Sequence, residues 1–207
     1  MALRPDYATL AEFKTFLRIP IDAQGGDNDD DALLTIALNA ASRAVETATN
    51  RQFGLNGSAV ARLFTPRYDS SLHRYVVQID DLMTITALVV KTDRDNDGVY
   101  EETITDYALS PANSDGKPWT DIVFGQGVMV STAAGSLEVT ADWGWTTVPD
   151  TIKLATLLQA ARLFKRRDAP FGIAGSLDLG SELRLFAKVD PDVEVLLRSF
   201  RRWWAAA

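Results

Sequence analysis

The sequence predicts an α+β fold, in which a scaffold of about four helices carries an inserted antiparallel β-module. Two helical segments with a 3.6-residue apolar period lie on either side of a stretch in which the period falls to two. Glycine, proline and aspartate separate the short apolar runs of that stretch, as turns between strands do. We therefore expect an N-terminal helical part over 1–57, the β-module over 58–147, and a C-terminal helical part over 148–207 that packs on the first.

The composition restricts the class of protein. A length of 207 residues suits one domain with an insertion or two small domains. The absence of cysteine excludes a disulfide scaffold, a cysteine zinc site and a thiol nucleophile. No apolar run reaches the ~18 residues that span a bilayer, and the first residues lack the apolar stretch of a secretory signal. A net charge of −7 disfavours a protein that grips DNA broadly, although an acidic wall lets DNA slide past.

The N-terminal part contains two helices. Thr9 and Glu12 have the spacing of a capping box, and Ile19-Pro20 ends the short helix that follows. A longer helix over Asp31–Arg51 has two stripes. The first is a buried seam of Leu34, Leu38, Ala41, Val45 and Ala48; the second, mostly small, is Leu33, Ala37, Ala40 and Ala44. Gly54 or Gly57 is expected at the left-handed cap.

The β-module begins after Gly57. Strands are predicted over 59–65, 73–79, 84–91 and 99–109, with a turn at 92–98 and weaker candidates at 119–124 and 127–132. The clearest strand signal runs from Gly135 to Trp145. Its alternate residues Leu137, Val139, Ala141, Trp143 and Trp145 are predicted to face one side of the sheet.

The return helix, 149–167, has the strongest helix signal in the chain. Pro149 suits a first helical turn; a main stripe holds Leu154, Leu157, Leu158 and Ala161, and Ile152 and Leu163 fall almost opposite. Two interpretations stay open: burial of the whole helix in its own domain, or a second face that packs on a neighbouring subunit. The second interpretation makes five residues interface candidates: Ile152, Leu163, Leu33, Ala37 and Ala40.

The C-terminal stretch combines a glycine-rich segment with a basic, aromatic tail. Residues 170–189 lack a helical period, so we expect them to be mobile or extended in the free protein. Asp190-Pro191 then starts a last helix. The tail residues predicted to bind a partner are Arg198, Arg201, Arg202, Trp203 and Trp204. Alternatives are stacking on nucleic acid, a frayed helix end, and folding back onto the subunit's own core.

The sequence contains no recognisable group of catalytic residues. His73, the single histidine, has no nucleophile context, and Asp80 and Asp81 should point to opposite faces of a strand. The pattern Asp93-x-Asp95-x-Asp97-Gly98 matches the first half of a calcium loop. The twelfth position is Ile104 instead of glutamate, so an acidic hairpin turn is favoured and the three aspartates are weak metal candidates.

Four segments resemble the head-to-tail connector (adaptor) proteins of tailed bacteriophages. They are YATLAEFKTFLRI, DALLTIALNAASRAVETATNRQF, VPDTIKLATLLQAARLFKRRD and KVDPDVEVLLRSFRR, about half of the chain. The resemblance implies a structural virion protein, made in the host cytoplasm, without cofactor, enzymatic activity or membrane contact. It further implies a ring, usually of twelve copies, beneath the portal protein and above a stopper or tail-completion protein. DNA would pass through that ring without sequence-specific binding.

Two other classes remain as alternatives. One is a calcium-stabilised binding module built around the β section, against which Ile104 counts. The other is a small metal-dependent hydrolase, which the scattered carboxylates and the single histidine disfavour.

Overall fold

The computed structural model describes residues 5–20, 30–113, 115–167, 173–174, 183–184 and 191–202. These form two compact units: a helical unit, Asp6–Arg51 with Val148–Ala207, and a β unit, Gln52–Thr147. Within the described residues there are four helices and two four-stranded antiparallel sheets, so the predicted α+β fold class is confirmed. None of the helices described is both long and apolar enough to cross a bilayer.

The helical unit starts with α1, Leu10–Leu17. Its predicted capping box is present, because Glu12 N donates to Thr9 Oγ1 at 3.2 Å and Thr9 N donates to the Glu12 carboxylate at 2.7 Å. The helix ends at Arg18, whose left-handed conformation lets the chain turn before Ile19.

The long helix α2, Asp31–Thr49, buries four of the five residues of the predicted seam, and Ala48 is only partly buried. Leu34, Leu38, Ala41 and Val45 are at most 2% exposed. The same face also buries Ser42 and Glu46, which the apolar period did not reveal: Tyr7 N donates to Ser42 Oγ, and Tyr7 Oη to Glu46 Oε1. The left-handed cap is Asn50 and not Gly54 or Gly57, because asparagine tolerates this conformation and ends the helix earlier.

The return helix α3, Asp150–Lys165, has Pro149 as its N-cap and not in its first turn. Its buried face agrees only in part with the predicted main stripe: Leu157 is buried as predicted, but Ile152 is 0% exposed and Leu154 is 43% exposed. The small residues Ala155, Thr156 and Ala160 lie on the buried face with Ile152 and allow neighbouring elements to approach closely. The prediction that Ile152 contacts a neighbouring subunit is therefore wrong, since it lies inside its own unit.

The last helix is α4, Pro191–Leu197, followed by a 3-10 turn at Arg198–Phe200. The chain then runs along the end of α2, where Arg202 N donates to Thr49 O at 2.8 Å. Of the predicted glycine-rich segment, two short strands that pair antiparallel, Ile173–Ala174 and Leu183–Arg184, are described. The rest of that segment and the predicted cap Asp190 lie outside the described residues.

The β unit contains eight strands in two sheets. The strands are β1 Val60–Phe64, β2 Arg67–Asp69, β3 Arg74–Leu82, β4 Val89–Thr92, β5 Glu102–Thr103, β6 Tyr107–Ser110, β7 Trp119–Phe124 and β8 Leu137–Ala141. One sheet has the order β1-β8-β4-β5 and the other β2-β3-β7-β6. The predicted strand at 127–132 is absent from the β unit, and β2, three residues long, escaped the sequence pattern.

The inner faces of the two sheets share one hydrophobic core. The alternation predicted for β8 and the residues after it is confirmed, since Leu137, Val139, Ala141 and Trp143 are all 0% exposed. The Trp143 ring donates from Nε1 to Val60 O at 2.7 Å, which ties the end of this strand to β1. Residues of β3, β4 and β7 complete the core, namely Val77, Ile79, Leu82, Val90, Ile122 and Phe124.

Candidate subunit-contact site

An apolar groove runs between α2 and α3 in the helical unit. Its volume is about 240 Å³. Six of the seven lining side chains are apolar; the lining residues are Leu33, Ile36, Ala37, Ala40, Leu163, Phe164 and Arg167. The groove therefore presents an open, largely apolar surface on a protein whose overall charge is strongly negative.

The spacing of residues on α2 creates the groove. Leu33, Ala37 and Ala40 follow one another at helical intervals of four and three, so they share one side of the helix. The two alanines leave space beside α3, while Leu33 is 44% exposed and Ile36 is 65% exposed. Large apolar side chains grouped in this way on a surface are typical of protein contact sites.

The groove brings together four of the five predicted interface residues. Leu33, Ala37, Ala40 and Leu163 all line it, with Ala37, which is 7% exposed, deep in the groove. The stripe predicted for this face does not include Ile36, which is 65% exposed and lines the groove. Its spacing of three from Leu33 is the sequence signal for it, because residues three apart share one side of a helix.

One lining residue of the groove, Arg167, is charged and forms an ion pair. Its guanidinium lies 4.6 Å from the centre of the Phe164 ring and also donates to the Asp30 carboxylate. These contacts hold the arginine in place, so the site combines an apolar lining with one compensated charge.

The tail residues do not form one exposed cluster. Arg202 is 6% exposed, and its backbone N and O bind Thr49 O and Asn50 Nδ2 in the same unit. Folding of the subunit buries most of Arg202, so its predicted role in partner binding stays a prediction. Arg201 donates to Glu194 at 3.2 Å, Arg198 is exposed, and Trp203 and Trp204 lie outside the described residues.

The first half of the chain is similar to one known protein family. Residues 7–104 match the model of the family described as phage gp6-like head-tail connector protein. The match spans just under half of the chain, so over these residues the chain is similar to this head-tail connector family. The similarity supports a structural virion protein. The match covers α1, α2 and the β unit as far as Ile104.

A solved structure shares the fold of this connector. A chain from the "Virion of native gene transfer agent (GTA) particle" is 20% identical with a TM-score of 0.57. The similarity covers 97% of this connector and 92% of that chain, so it includes the helices that the family model leaves out. No protein among the curated sequences matches the chain.

The three aspartates of the connector's acidic loop form a turn. Their carboxylate oxygens lie within 4.8 Å of one another. Asp93, however, accepts hydrogen bonds from three backbone amides, those of Asn96 at 2.6 Å, Asp97 at 3.2 Å and Gly98 at 2.8 Å. Ile104, at the position where a calcium loop needs glutamate, is 8% exposed and belongs to the apolar core. The geometry fits a hairpin anchor better than a calcium loop.

The remaining titratable candidates have separate structural positions. His73 is exposed in the turn between β2 and β3, with a left-handed φ of 52°. Asp80 accepts from Arg62, whereas Asp81 accepts from Trp145 Nε1 at 2.7 Å. The two adjacent aspartates therefore have different partners, and they do not converge on one metal position.

Proposed function

We propose that this connector assembles into a ring beneath the portal, in which the α2–α3 groove of each subunit receives its neighbour. The observation that carries the proposal is the groove itself, which groups Leu33, Ile36 and Leu163 at an open surface. A contact between the groove of one copy and a different surface of the next copy is heterologous. Repeated heterologous contacts close into a ring when the rotation between successive subunits adds up to a full turn. The family resemblance implies twelve copies.

The distribution of charge suits a ring through which DNA passes. Residues 52–147 contain thirteen carboxylate side chains and six lysines and arginines, whereas the helical unit contains fifteen and fourteen. The net negative charge of the chain is thus concentrated in the β unit. Because acidic surface repels phosphate, we propose that DNA crosses the ring without sequence-specific binding.

The C-terminal end is the proposed contact with the portal. Val195 is 73% exposed beside Arg198 and Arg201, and Trp203 and Trp204 follow directly in the sequence. Tryptophan and arginine are frequent anchors of protein interfaces. Truncation after Arg202 should leave the melting temperature nearly unchanged and prevent attachment to portal-containing heads. A large fall in melting temperature with attachment intact would instead make the tail part of the fold.

We propose that a stopper or tail-completion protein binds the connector on the side away from the portal.

We also propose that the connector works without catalysis. The chain has no cysteine, and its single histidine is exposed in the β2–β3 turn, where the hydroxyl of the nearby Ser71 donates to Asp69. Turnover of a phosphate, ester or nucleic-acid substrate that a single carboxylate substitution abolishes would overturn this.

Replacement of Ile36 tests the ring proposal. Ile36→Asp places a charge in the groove but removes little buried surface, because the side chain is 65% exposed in the subunit. We expect a melting temperature close to that of the wild type and loss of ring formation in particle assembly, measured by mass photometry. Ile85→Asp is the matched control, since Ile85 is also 65% exposed but lies in the β unit.

Leu163→Asp is a second variant at the opposite wall of the groove, and it should impair assembly more than folding. Leu163 is only half-buried, so the subunit tolerates the change better than a core substitution. Normal rings from both Ile36→Asp and Leu163→Asp would show that the groove is not the subunit interface.

A further inference from the structure

Two hairpins of the β unit carry exposed charges of opposite sign. We call residues 67–74, which join β2 to β3, the basic hairpin, and residues 92–102, which join β4 to β5, the acidic hairpin. We propose that the basic hairpin of each subunit docks on the acidic hairpin of the next copy of this chain. The inference rests on the proposed ring, and it adds a second subunit contact that is separate from the helical groove.

The basic hairpin is built to present its arginines and apolar side chains outward. Asp69, its one carboxylate, is directed into the loop, where Oδ1 accepts from Ser71 N at 2.9 Å, Ser71 Oγ at 2.6 Å and Leu72 N at 3.2 Å. Arg67 and Arg74 are exposed and form no ion pair within the described part of the chain. The hairpin thus offers two exposed cations on a loop that its own hydrogen bonds hold in place; Arg67 also interacts electrostatically with Asp69.

The same hairpin exposes apolar surface beside these charges. Tyr68 is 53% exposed and packs edge-on against Tyr75, with 5.2 Å between the ring centres. Leu72, at the tip, is 51% exposed. Tyrosine and arginine together are enriched in protein interfaces, which favours a protein partner over solvent.

The acidic hairpin has the complementary features. Asp93 is turned inward, and Glu102 has Arg94 as an ion-pair partner at 3.5 Å. Asp95 and Glu101 are exposed and have no ion-pair partner among the residues described. Val99 is 56% exposed between them in the sequence. Two exposed anions beside an apolar side chain match two exposed cations beside Tyr68 and Leu72.

The hairpins lie on opposite lateral sides of the β unit. Edge strands β1 and β2 belong to different sheets but are joined by only two residues, 65 and 66, so they share one side. Edge strands β5 and β6 are joined by three residues, 104–106, and share the other side. The basic hairpin follows β2 and the acidic hairpin precedes β5, so a neighbour in a ring meets one with the other.

Both hairpins also project from the same end of the β unit. β1 and β4 run antiparallel to β8, and a parallel bridge between Leu82 and Gly144 aligns β3 with the continuation of β8. β2 is antiparallel to β3, so it runs in the same direction as β1 and β4. The turns that end β2 and β4 therefore point toward the same end of the β unit.

Disulfide trapping tests the contact, because the chain has no cysteine of its own. Leu72→Cys and Val99→Cys in one chain should yield a ladder of covalent multimers on mild oxidation, both in assembled particles and in concentrated purified protein. The control pairs Leu72→Cys with Ile85→Cys. Residue 85 is 65% exposed but follows β3, which runs toward the opposite end, so no ladder is expected.

Charge reversal tests the complementarity. Arg67→Glu with Arg74→Glu should lower the yield of multimers about tenfold, and so should Asp95→Arg with Glu101→Arg. All four changes in one chain should restore it, because the charges are exchanged. A ladder in the control pair, no ladder from the test pair in either preparation, or no restoration in the fourfold variant would overturn the inference.

Two further outcomes separate this contact from other roles. Full incorporation into particles with no ladder overturns the hairpin contact but not the proposed ring. A ladder without incorporation supports the contact and overturns the connector role.

Binding of a short DNA duplex to the purified protein is a separate measurement. If Arg67→Glu with Arg74→Glu abolishes that binding and leaves the ladder unchanged, the hairpin contacts nucleic acid and the inference is wrong.

Discussion

Glu12 connects a local sequence motif with the packing of two helices. Its carboxylate accepts from Thr9 N in the capping box and from Lys153 Nζ of α3 at 2.8 Å. The hydrogen bond from Lys153, followed by the one from Thr9, lowers the pKa of Glu12 from 4.5 to about 2. The capping box was visible in the sequence, but the partner 141 positions away was not.

The pKa of Glu12 predicts a pH dependence of stability. Because the folded-state pKa is lowered, the stabilisation is complete above pH 4.5 and is lost as the pH falls toward about 2. Glu12→Gln keeps the capping geometry and should cost about 0.5–1 kcal/mol at pH 7, since both side chains are partly exposed. Urea unfolding at pH 7 and pH 3 should show the difference from wild type shrinking at the lower pH. Glu101→Gln, which has no ion-pair partner among the residues described, is the control, and a difference that grows on acidification would contradict the assignment.

Gly144 is a residue whose conformation and surroundings both require glycine. Its φ is +112°, and a Cβ there would collide with the carbonyl of Gly54. Gly144→Ala should lower the free energy of unfolding by about 3 kcal/mol or more. Gly57→Ala is the matched control, because φ is +74° with open space around it, and it should cost about 1–2 kcal/mol. Equal losses in urea unfolding would show that the contact with Gly54 does not matter.

At the scale of elements, the acidic hairpin shows how one motif supports two interpretations. Asp93→Ala removes the acceptor of three backbone amides and should lower the free energy of unfolding by about 1–3 kcal/mol. Asp95→Ala should be nearly neutral, since Asp95 is exposed. Millimolar calcium should leave the melting temperature of the wild type unchanged. A calcium-dependent rise that Asp95→Ala abolishes would support the calcium-stabilised module instead.

The return helix α3 shows why a helical period does not by itself assign faces. The helical period placed Leu154 on the main apolar stripe of α3 and Ile152 almost opposite that stripe. In the structure Ile152 is buried and Leu154 is 43% exposed. The period was right, but the choice of face depended on small residues such as Ala155 and Ala160, which a hydrophobicity pattern ranks below leucine. Packing favours the face on which other elements come close, and the larger leucine is left at the surface.

At the scale of the whole molecule, the β unit is an insertion whose two ends meet. Asn56 N donates to Trp143 O at 3.2 Å, and the Phe53 and Trp145 rings lie 5.3 Å apart. Because the ends are closed within the unit and the core is shared by both sheets, residues 52–147 should fold when excised.

Expression of residues 52–147 alone checks this expectation. We expect cooperative unfolding in urea and a near-ultraviolet circular dichroism signal from the buried tryptophans. Trp143→Ala in the same fragment should lose about 3–5 kcal/mol, because the ring is completely buried in the subunit. A fragment that shows neither a cooperative transition nor a tryptophan signal would mean that the unit depends on the helical segments.

The sequence alone determined the class of this protein and the local structure of its elements. Short-range rules were sufficient for the capping box at Thr9, the seam of α2 and the alternation of β8, because each depends on residues a few positions apart. Four of the five predicted interface residues also line one groove, since the stripes of α2 and α3 follow from helical geometry.

Only the tertiary structure decided which faces are buried and which charges are left free. Ile152 and Arg202 became interior residues because distant segments pack over them. The opposite positions of the basic and acidic hairpins depend on sheet order, which strand periodicity does not contain. Such contacts join residues far apart in the chain, and their free energy is set by burial and geometry that a linear pattern cannot specify.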